Sequence, residues 1–225
     1  GADQVILVTP GIDADLGMRI WNADGSEVEA CGNATRCVAL LAGRAVSIDT
    51  AGGRLAASPI DGGASVDMGR PRFGWDEIPL AFAMDTLNMP VHWDGFADPA
   101  AVNVGNPHVI AFVEDVDALP LDVIGPLIEH DPLFPARVNV TAAQLIGPDH
   151  LRARTWERGA GLTRACGTAA CATAVAAIRR GIAAGQGDGD RAGGDAAPDR
   201  RDGGGAGGGA RSEERRVGKE CRLLC

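Results

Sequence analysis

Two cysteines of the chain, at positions 31 and 166, occupy the same local sequence, Ala-Cys-Gly. In each case an Arg-x-Trp triplet and a polar turn that contains glycine come first, and a run of apolar residues follows. The apolar run is typical of a helix, so both cysteines are predicted to lie at or just before a helix N-terminus. Unpaired backbone N–H groups there carry about half a positive charge, which favours the thiolate and lowers the pKa of the thiol.

Two such thiols on opposite sides of one substrate could move a proton without a cofactor. One thiolate would remove an α-proton from one face, and the opposing thiol would donate a proton to the other face. Gly32 and Gly167 allow a ligand to approach closely, and the helix-terminal N–H groups could bind a carboxylate. An isolated cysteine is more often a small buried hydrophobic residue, and this is the prediction for Cys37 and Cys171.

The chain aligns with itself at an offset of 135 residues. The aligned pairs are Arg19 with Arg154, Trp21 with Trp156, Ala30 with Ala165, Cys31 with Cys166, Gly32 with Gly167, Ala34 with Ala169 and Ala39 with Ala174. Tryptophan and cysteine are rare, so two such pairs at one separation are hard to obtain by chance. The repeat predicts a duplication, in which two related α/β domains each contribute one cysteine.

The remaining pattern is that of a mixed α/β body. Short apolar runs bounded by turn residues predict strands at 5–8 and 109–113. Alanine-rich runs predict helices at 37–42 and 172–178, and these are apolar nearly all round, which predicts that they are buried. The predicted units are an N-terminal domain over 1–97, a C-terminal domain over 98–181 and a tail over 182–225.

The tail differs sharply in composition from the body. Glycine dominates as far as Ala210, and the last aromatic residue is Trp156. Such a segment cannot bury enough apolar surface to offset the entropy of ordering it. Residues 211–225 resemble the read-through translation of a cloning or sequencing adapter, so one hypothesis is a frameshift near 181–186; a genuine disordered tail is the alternative.

Composition excludes several kinds of function. A net charge of −9 argues against nucleic-acid binding, and no apolar run approaches the roughly 20 residues that span a bilayer. Lys219 is the only lysine, which argues against a pyridoxal-phosphate Schiff base. The cysteines form no Cys-x-x-Cys pair, and none has a histidine at zinc-finger spacing. With no signal peptide in evidence, reduced thiols and a cytoplasmic protein are expected.

Long segments around both cysteines resemble the two signatures of the diaminopimelate epimerase family. They run over 22–37 and 156–171. Three shorter segments resemble further family motifs in the expected order: Gly-Ala-Asp-Gln at 1–4, Gly-Asn-Pro-His at 105–108 and Arg-Val-Asn-Val at 137–140. The resemblance covers residues 1 to about 180. The initiator Met, the family's N-terminal Gly-Asn-Asp-Phe motif and its C-terminal strands are missing, so a truncated member is expected.

The resemblance implies an α/β (α+β) fold of two pseudo-symmetric domains, each a curved sheet around a central helix, with the active site in the cleft between them. It implies interconversion of LL- and meso-2,6-diaminopimelate, a small-molecule substrate, in lysine and peptidoglycan precursor biosynthesis. It implies no cofactor and no metal, and it is compatible with a homodimer.

The resemblance also assigns roles by position. Cys31 and Cys166 are the acid–base pair, and His108 is a neighbour of the site. The implied substrate-binding residues are Gln4, Asn22, Gly32, Asn33, Asn106, Asn139, Glu157, Arg158, Gly167 and Thr168. A substrate with two carboxylates and two ammonium groups needs both donors and acceptors, which this set contains.

Other functions remain open at this point. The nearest is a proline or hydroxyproline racemase of the same fold, which acts on a secondary amine with one carboxylate; the neighbouring Glu157 and Arg158 favour diaminopimelate. A thiol redox or sensor protein, in which Cys31 and Cys166 form a reversible disulfide, belongs to a different class. A non-catalytic fragment is the third alternative, since both termini of the family pattern are missing.

Overall fold

The fold was obtained as a computed structural model, which describes residues 4–29, 31–147 and 150–183 and the backbone of 215–217 and 221–224. The elements of the first half are β1 (Gln4–Pro10), β2 (Leu16–Asn22), β3 (Glu27–Val28), α1 (Gly32–Ala42), β4 (Val46–Thr50), β5 (Gly53–Ile60) and β6 (Gly63–Asp67). Those of the second half are β7 (His92–Trp93), β8 (Phe96–Ala97), β9 (Ala100–Asn103), β10 (Pro107–Phe112), α2 (Leu121–Glu129), β11 (Asn139–Gly147), β12 (His150–Glu157), β13 (Gly161–Thr163) and α3 (Gly167–Arg179). Near the end come β14 (Arg215–Val217) and β15 (Cys221–Leu224).

The first half is a sheet with one helix on it. The strand order is β1-β2-β4-β5-β6-β15-β14, and β3 pairs with β2. Alternate residues of β2, β4 and β5 are buried, as expected for strands with one face on a core. Val38 and Ala39 of α1 pack there against Ile20, Ile48 and other buried side chains.

Helix α1 stops at Gly43 for a local reason. The glycine has a φ of +65°, and its N–H donates to the carbonyls of Ala39 and Leu40 at 3.1 and 3.2 Å. A residue with a side chain is strained in this left-handed conformation, whereas glycine is not. The chain therefore turns here and enters β4, parallel to β2.

The second half is a sheet with a helix on each face. Its strand order is β13-β12-β11-β10-β9, with β10 and β11 parallel. Helix α2 packs on β11 and β12 around a core that includes Leu121, Ile124 and Val140, and α3 packs against β9 and β10 through Val175 and neighbouring alanines.

The two halves repeat the same strand pairing, as the internal repeat predicts. Val5 pairs with Trp21 in β1–β2, and Val140 pairs with Trp156 in β11–β12. The short strands β3 and β13 then pair with β2 and β12 in the same register. Because a shift of one residue would exchange the two faces of a strand, this common register gives the aligned residues the same orientation in both halves.

The predicted strands at 5–8 and 109–113 are confirmed as parts of β1 and β10, although β10 ends at Phe112. The predicted helices at 37–42 and 172–178 are confirmed within α1 and α3. Burial of α3 is also confirmed, and Cys171 is a core residue. Burial of α1 was wrong, because its outer face lies in solvent: Leu41 is 85% exposed, and Cys37 is exposed on the same helix.

Some residues before the predicted boundary at 97 pack in the core of the second half, and the boundary itself stays a prediction. Ile78, Met89 and Phe96 belong to the core of the second half, although the predicted boundary places them in the first. Of the predicted tail, the structure describes β14 and β15, which pair with each other and with β6 where composition predicts disorder. The branched aliphatic residues after position 182, Val217, Leu223 and Leu224, fall in these strands. Apart from residues 182 and 183, the rest of the tail, including residues 184–186 of the predicted frameshift region 181–186, lies outside the described residues.

Candidate active site

One pocket between the two halves contains both Ala-Cys-Gly cysteines. The space within it, open solvent included, is about 420 Å³. Its lining residues are Gln4, Val28, Cys31, Gly32, Asn33, Asn106, Asn139, Glu157, Arg158, Ala160, Cys166, Gly167 and Thr168. The pocket thus brings together residues from both sheets and from the first turns of α1 and α3.

The two cysteines have the same backbone conformation. Cys31 is the N-cap of α1, with φ −140° and ψ 108°, and Cys166 is the N-cap of α3, with φ −131° and ψ 110°. Each carbonyl accepts the first hydrogen bond of its helix, from Thr35 at 3.0 Å and from Ala170 at 3.1 Å. The predicted position at a helix N-terminus is therefore confirmed for both residues.

The expected lowering of the thiol pKa was wrong. Burial in the cleft raises the pKa of Cys31 above its ordinary value, and it raises that of Cys166 much further. The carboxylate of Glu157 adds to the increase at both thiols, because a nearby negative charge disfavours a thiolate. Backbone N–H groups of the helix ends act in the opposite direction but do not prevail.

A chain of hydrogen bonds runs from Cys166 into the protein interior. Its sulfur lies 3.4 Å from the hydroxyl of Thr168, which accepts a hydrogen bond from the Asn106 amide, also at 3.4 Å. The carbonyl oxygen of Asn106 lies 2.9 Å from Nε2 of His108. That oxygen can only accept, so His108 carries its proton on Nε2, with the amide oriented as described.

His108 is fully buried and lies behind the pocket wall. Burial, and to a smaller extent the charge of Arg158, lowers its pKa to about 3. The imidazole is therefore neutral near pH 7. Its Nδ1 has no hydrogen-bond partner within the part of the chain that the structure describes.

Arg158 connects the two halves across the cleft. Its Nη2 forms an ion pair with Glu29 of the first half, and its Nη1 donates to the carbonyl of Ala136 at 2.9 Å. Its backbone N–H donates to the Asn139 side chain at 3.0 Å. The side chain is mostly buried, and it places a positive charge in the lining of the pocket.

Two side-chain amides of the first half, Gln4 and Asn22, lie close to the turn that follows Glu157. Gln4 donates to Asn22 at 3.0 Å, and Asn22 donates to Ser26 at 3.2 Å. A side chain on Gly159, whose φ is +73°, would start 2.8 Å from the Asn22 amide nitrogen. The turn after Glu157 can therefore pack this closely on the first half because position 159 is glycine.

Metal ligation has no support in this geometry. Within residues 4–29, 31–147 and 150–183, no three or more His, Cys, Asp or Glu side chains gather in a way that could bind a metal ion. Nor does this part of the chain contain a helix with the length and apolar character that crossing a membrane requires.

Comparison with known proteins identifies the family. The model of the family described as diaminopimelate epimerase matches residues 1–74 and 100–196. Diaminopimelate epimerases from Erythrobacter litoralis and Zymomonas mobilis are 64% and 61% identical to the chain. These alignments cover 81% and 86% of the chain and 68% and 72% of the relatives. The chain belongs to the diaminopimelate epimerase family. It is accordingly an isomerase, as the signature segments around both cysteines predict.

Solved structures of other proteins share the fold. A hydroxyproline epimerase from Agrobacterium vitis, with bound trans-4-hydroxy-L-proline, gives a TM-score of 0.59 at 18% identity over 83% of this chain and 62% of its own. A predicted epimerase from Pseudomonas aeruginosa gives a TM-score of 0.55 at 23% identity over 81% of this chain and 69% of its own. At these identities the likeness shows the fold alone, and it confirms the predicted α+β architecture.

Nearly all of the predicted site residues of this diaminopimelate epimerase family member line the pocket. The exceptions are Asn22, which contacts Gln4 and the turn at Gly159, and His108, which reaches the pocket through Asn106. The roles of these residues stay predictions.

Sequence reasoning missed three residues at the site. Val28 and Ala160 line the pocket, and Glu29 pairs with Arg158. A signal was available, since each lies within three residues of Cys31 or of Glu157 and could have been included with its neighbour.

Proposed function

We propose that the chain interconverts LL- and meso-2,6-diaminopimelate by moving one α-proton between Cys31 and Cys166. The observation that carries the proposal is that both cysteines line one pocket, each as the N-cap of a helix with nearly the same backbone angles. Family membership supports the substrate, since the curated relatives at 64% and 61% identity are diaminopimelate epimerases.

In the proposed step one cysteine acts as a thiolate and the other as a thiol. The thiolate sulfur takes the α-hydrogen as a proton, and the electron pair of the broken C–H bond passes into the adjacent carboxylate. The opposing thiol then gives its proton to the other face of the α-carbon. The configuration at that carbon is inverted, and the cysteines have exchanged protonation states, so the reverse reaction uses the same groups.

The helix ends supply stabilisation where negative charge develops. The N-termini of α1 and α3 both open on the pocket through Gly32, Asn33, Gly167 and Thr168. Their backbone N–H groups can hold the carboxylate that receives the electron pair, and two helix dipoles then favour its added charge. Glycine as the first residue of each helix leaves space for close approach.

The charged side chains fit a substrate with charges at both ends. Glu157 can accept an ammonium group near the cysteines. Arg158 has five N–H donors, of which Glu29 and the Ala136 carbonyl take two, so the remaining donors can bind a substrate carboxylate. Gln4, Asn106 and Asn139 offer donors and acceptors between them. A proline-type substrate has one carboxylate, so it would leave these remaining donors of Arg158 without a substrate partner; this favours diaminopimelate over the racemase alternative.

The raised pKa values indicate how substrate binding activates the thiols. Without substrate, burial and the charge of Glu157 keep both thiols protonated. A substrate ammonium beside Glu157 neutralises that charge, so one of the two contributions that raise both thiol pKa values is removed. The thiolate therefore forms mainly when substrate is present.

Two further expectations belong to this proposal. The cysteines at 31, 37 and 166 are free thiols, which fits a reducing cytoplasm, and cytoplasmic function is proposed on that basis. A homodimer is proposed as the assembly. Light scattering of the purified protein would test it, and a monomer mass at working concentration would contradict it.

The experiment that tests the function is incubation with LL-diaminopimelate in D₂O, in which proton NMR follows the signal of the α-hydrogen. We expect deuterium at the α-carbon together with accumulation of the meso isomer. A folded protein that gives neither would contradict the proposal. Proline and 4-hydroxyproline serve as matched substrates, and faster exchange on either would favour the racemase instead.

A further inference from the structure

Glu129 is a buried carboxylate that the proposed reaction does not use. It is the last residue of α2, it is 2% exposed, and it does not line the pocket. Burying a carboxylate is costly unless hydrogen bonds compensate, and well-packed apolar side chains often stabilise a core as well. Its contacts therefore call for a specific explanation.

Both carboxylate oxygens of Glu129 are directed at the segment that carries Glu157 and Arg158. Oε2 accepts the indole N–H of Trp156 at 2.7 Å, and Oε1 accepts the backbone N–H of Gly159 at 3.0 Å. The two donors flank the pair 157–158 on either side in the chain. Arg137 completes the set with an ion pair of 3.6 Å to Oε1.

Other contacts hold this segment as well: Glu157 pairs with Gly161 in β12–β13, and the Arg158 side chain bonds to Ala136 and Glu29. The N–H of Ala160 donates to the carbonyl of Glu157 at 3.0 Å, and the N–H of Arg158 donates to Asn139 at 3.0 Å. None of these contacts is made with α2, whereas the bonds from Trp156 and Gly159 to Glu129 join the segment to that helix.

We propose that Glu129 is a positioning residue for the substrate-binding turn: it sets where Glu157 and Arg158 stand relative to the two thiols. The proposal rests on the function proposed above. Helix α2 also contacts the segment directly at Trp156. A side chain on Gly125 would start 2.6 Å from the Trp156 ring, so the helix backbone and the indole are in contact. A small displacement of groups that hold a substrate can lower the rate by about 100-fold.

The test is Glu129→Gln, which keeps the size of the side chain. Glutamine offers one acceptor oxygen and one NH₂ group, so one of the two N–H donors loses its partner and faces another donor. We expect kcat/KM for diaminopimelate to fall about 10-fold or more, mainly through KM, because binding groups move while the thiols stay in place. We also expect faster hydrogen exchange at the amides of Arg158 and Gly159.

Asp131→Asn is the matched control. Asp131 lies two residues further along and accepts the indole N–H of Trp93 at 3.0 Å, the same kind of bond at a distance from the turn. It should leave KM and the amides at 158 and 159 unchanged. If Glu129→Gln proves too unstable to purify, Trp156→Phe removes the indole donor alone, and a smaller rise in KM is expected.

The outcomes separate the two proposals. Lack of exchange in the unaltered protein would contradict the proposed function, whereas the amide measurement needs no turnover and tests Glu129 by itself. Unchanged protection of the Arg158 and Gly159 amides in Glu129→Gln would overturn the positioning role. A lower unfolding midpoint with unchanged KM would do the same, because it would leave Glu129 a purely structural residue.

Discussion

The two halves of the molecule hold their cysteines in the same way but surround them with different chemistry. The backbone angles at Cys31 and Cys166 agree within 10°. The offset that aligns the cysteines also pairs Gln4 with Asn139 and Asn33 with Thr168 among the pocket residues. It pairs Asn22 with Glu157, however, so the carboxylate that raises both thiol pKa values lies in the second half alone.

Burial differs between the halves as well. Strand β11 lies between β10 and β12, and its first residues are buried, whereas β1 pairs on one side only among the described residues and Val5 is 62% exposed. Helix α3 contacts the cores of both halves, through Cys171 and Val175, while the outer face of α1 lies in solvent. The shared backbone positions two thiols, and the unshared surroundings set their pKa values.

The largest expected effect comes from removing either thiol. Cys31→Ala and Cys166→Ala should each lower the rate of inversion about 1,000-fold or more, because an acid–base group in direct contact with the substrate is lost. Each variant should still exchange the α-proton of the isomer that presents it to the remaining thiol. Proton NMR in D₂O measures both quantities at once. Inversion at a near-normal rate in either variant would exclude the two-thiol reaction.

The charge that distinguishes the halves can be removed with Glu157→Gln. Because Glu157 raises the pKa of Cys31 and Cys166, its loss should lower both, and both limbs of the kcat/KM profile should move to lower pH. At the same time kcat/KM at its optimum should fall about 100-fold, since a charged partner of the substrate ammonium is lost. Initial rates between pH 6 and 10 would give both effects.

Glu27→Gln controls for the loss of a carboxylate as such. Glu27 belongs to an exposed ion pair with Arg19, outside the pocket, and the substitution should leave the profile in place. A profile of Glu157→Gln that coincides with that of the unaltered protein would mean that burial alone sets the thiol pKa values, and the electrostatic difference between the halves would then have no kinetic consequence.

Geometry was predictable from sequence where a local pattern determines it. The Ala-Cys-Gly motif followed by an apolar run predicts a helix N-cap, and the 135-residue offset predicts a common register, because both depend on neighbours in the chain. The expected lowering of the thiol pKa failed because desolvation depends on what covers the thiol. For Cys166 burial is the largest cause of the raised pKa, and a helix-end rule contains no information about burial.

The predicted burial of α1 was wrong for a similar reason. An alanine- and leucine-rich helix predicts burial, but whether a second layer covers it depends on other elements of the fold. The ion pair between Glu29 and Arg158 and the bonds of Glu129 to the turn likewise join residues that are far apart in the chain. With one sequence and no structure, no pattern relates the members of such pairs.

The smallest effects should reveal the difference in burial between the two helices. Val175→Ala in α3 removes two methyl groups that pack between core side chains. The substitution should lower the free energy of unfolding by about 2 kcal/mol. Leu41→Ala in α1 removes a larger side chain that is 85% exposed, and the change should stay within about 0.5 kcal/mol. Urea unfolding followed by tryptophan fluorescence measures both. If Leu41→Ala lowered the free energy of unfolding as much as Val175→Ala does, the outer face of α1 would be covered in solution. The two helices would then not differ in burial.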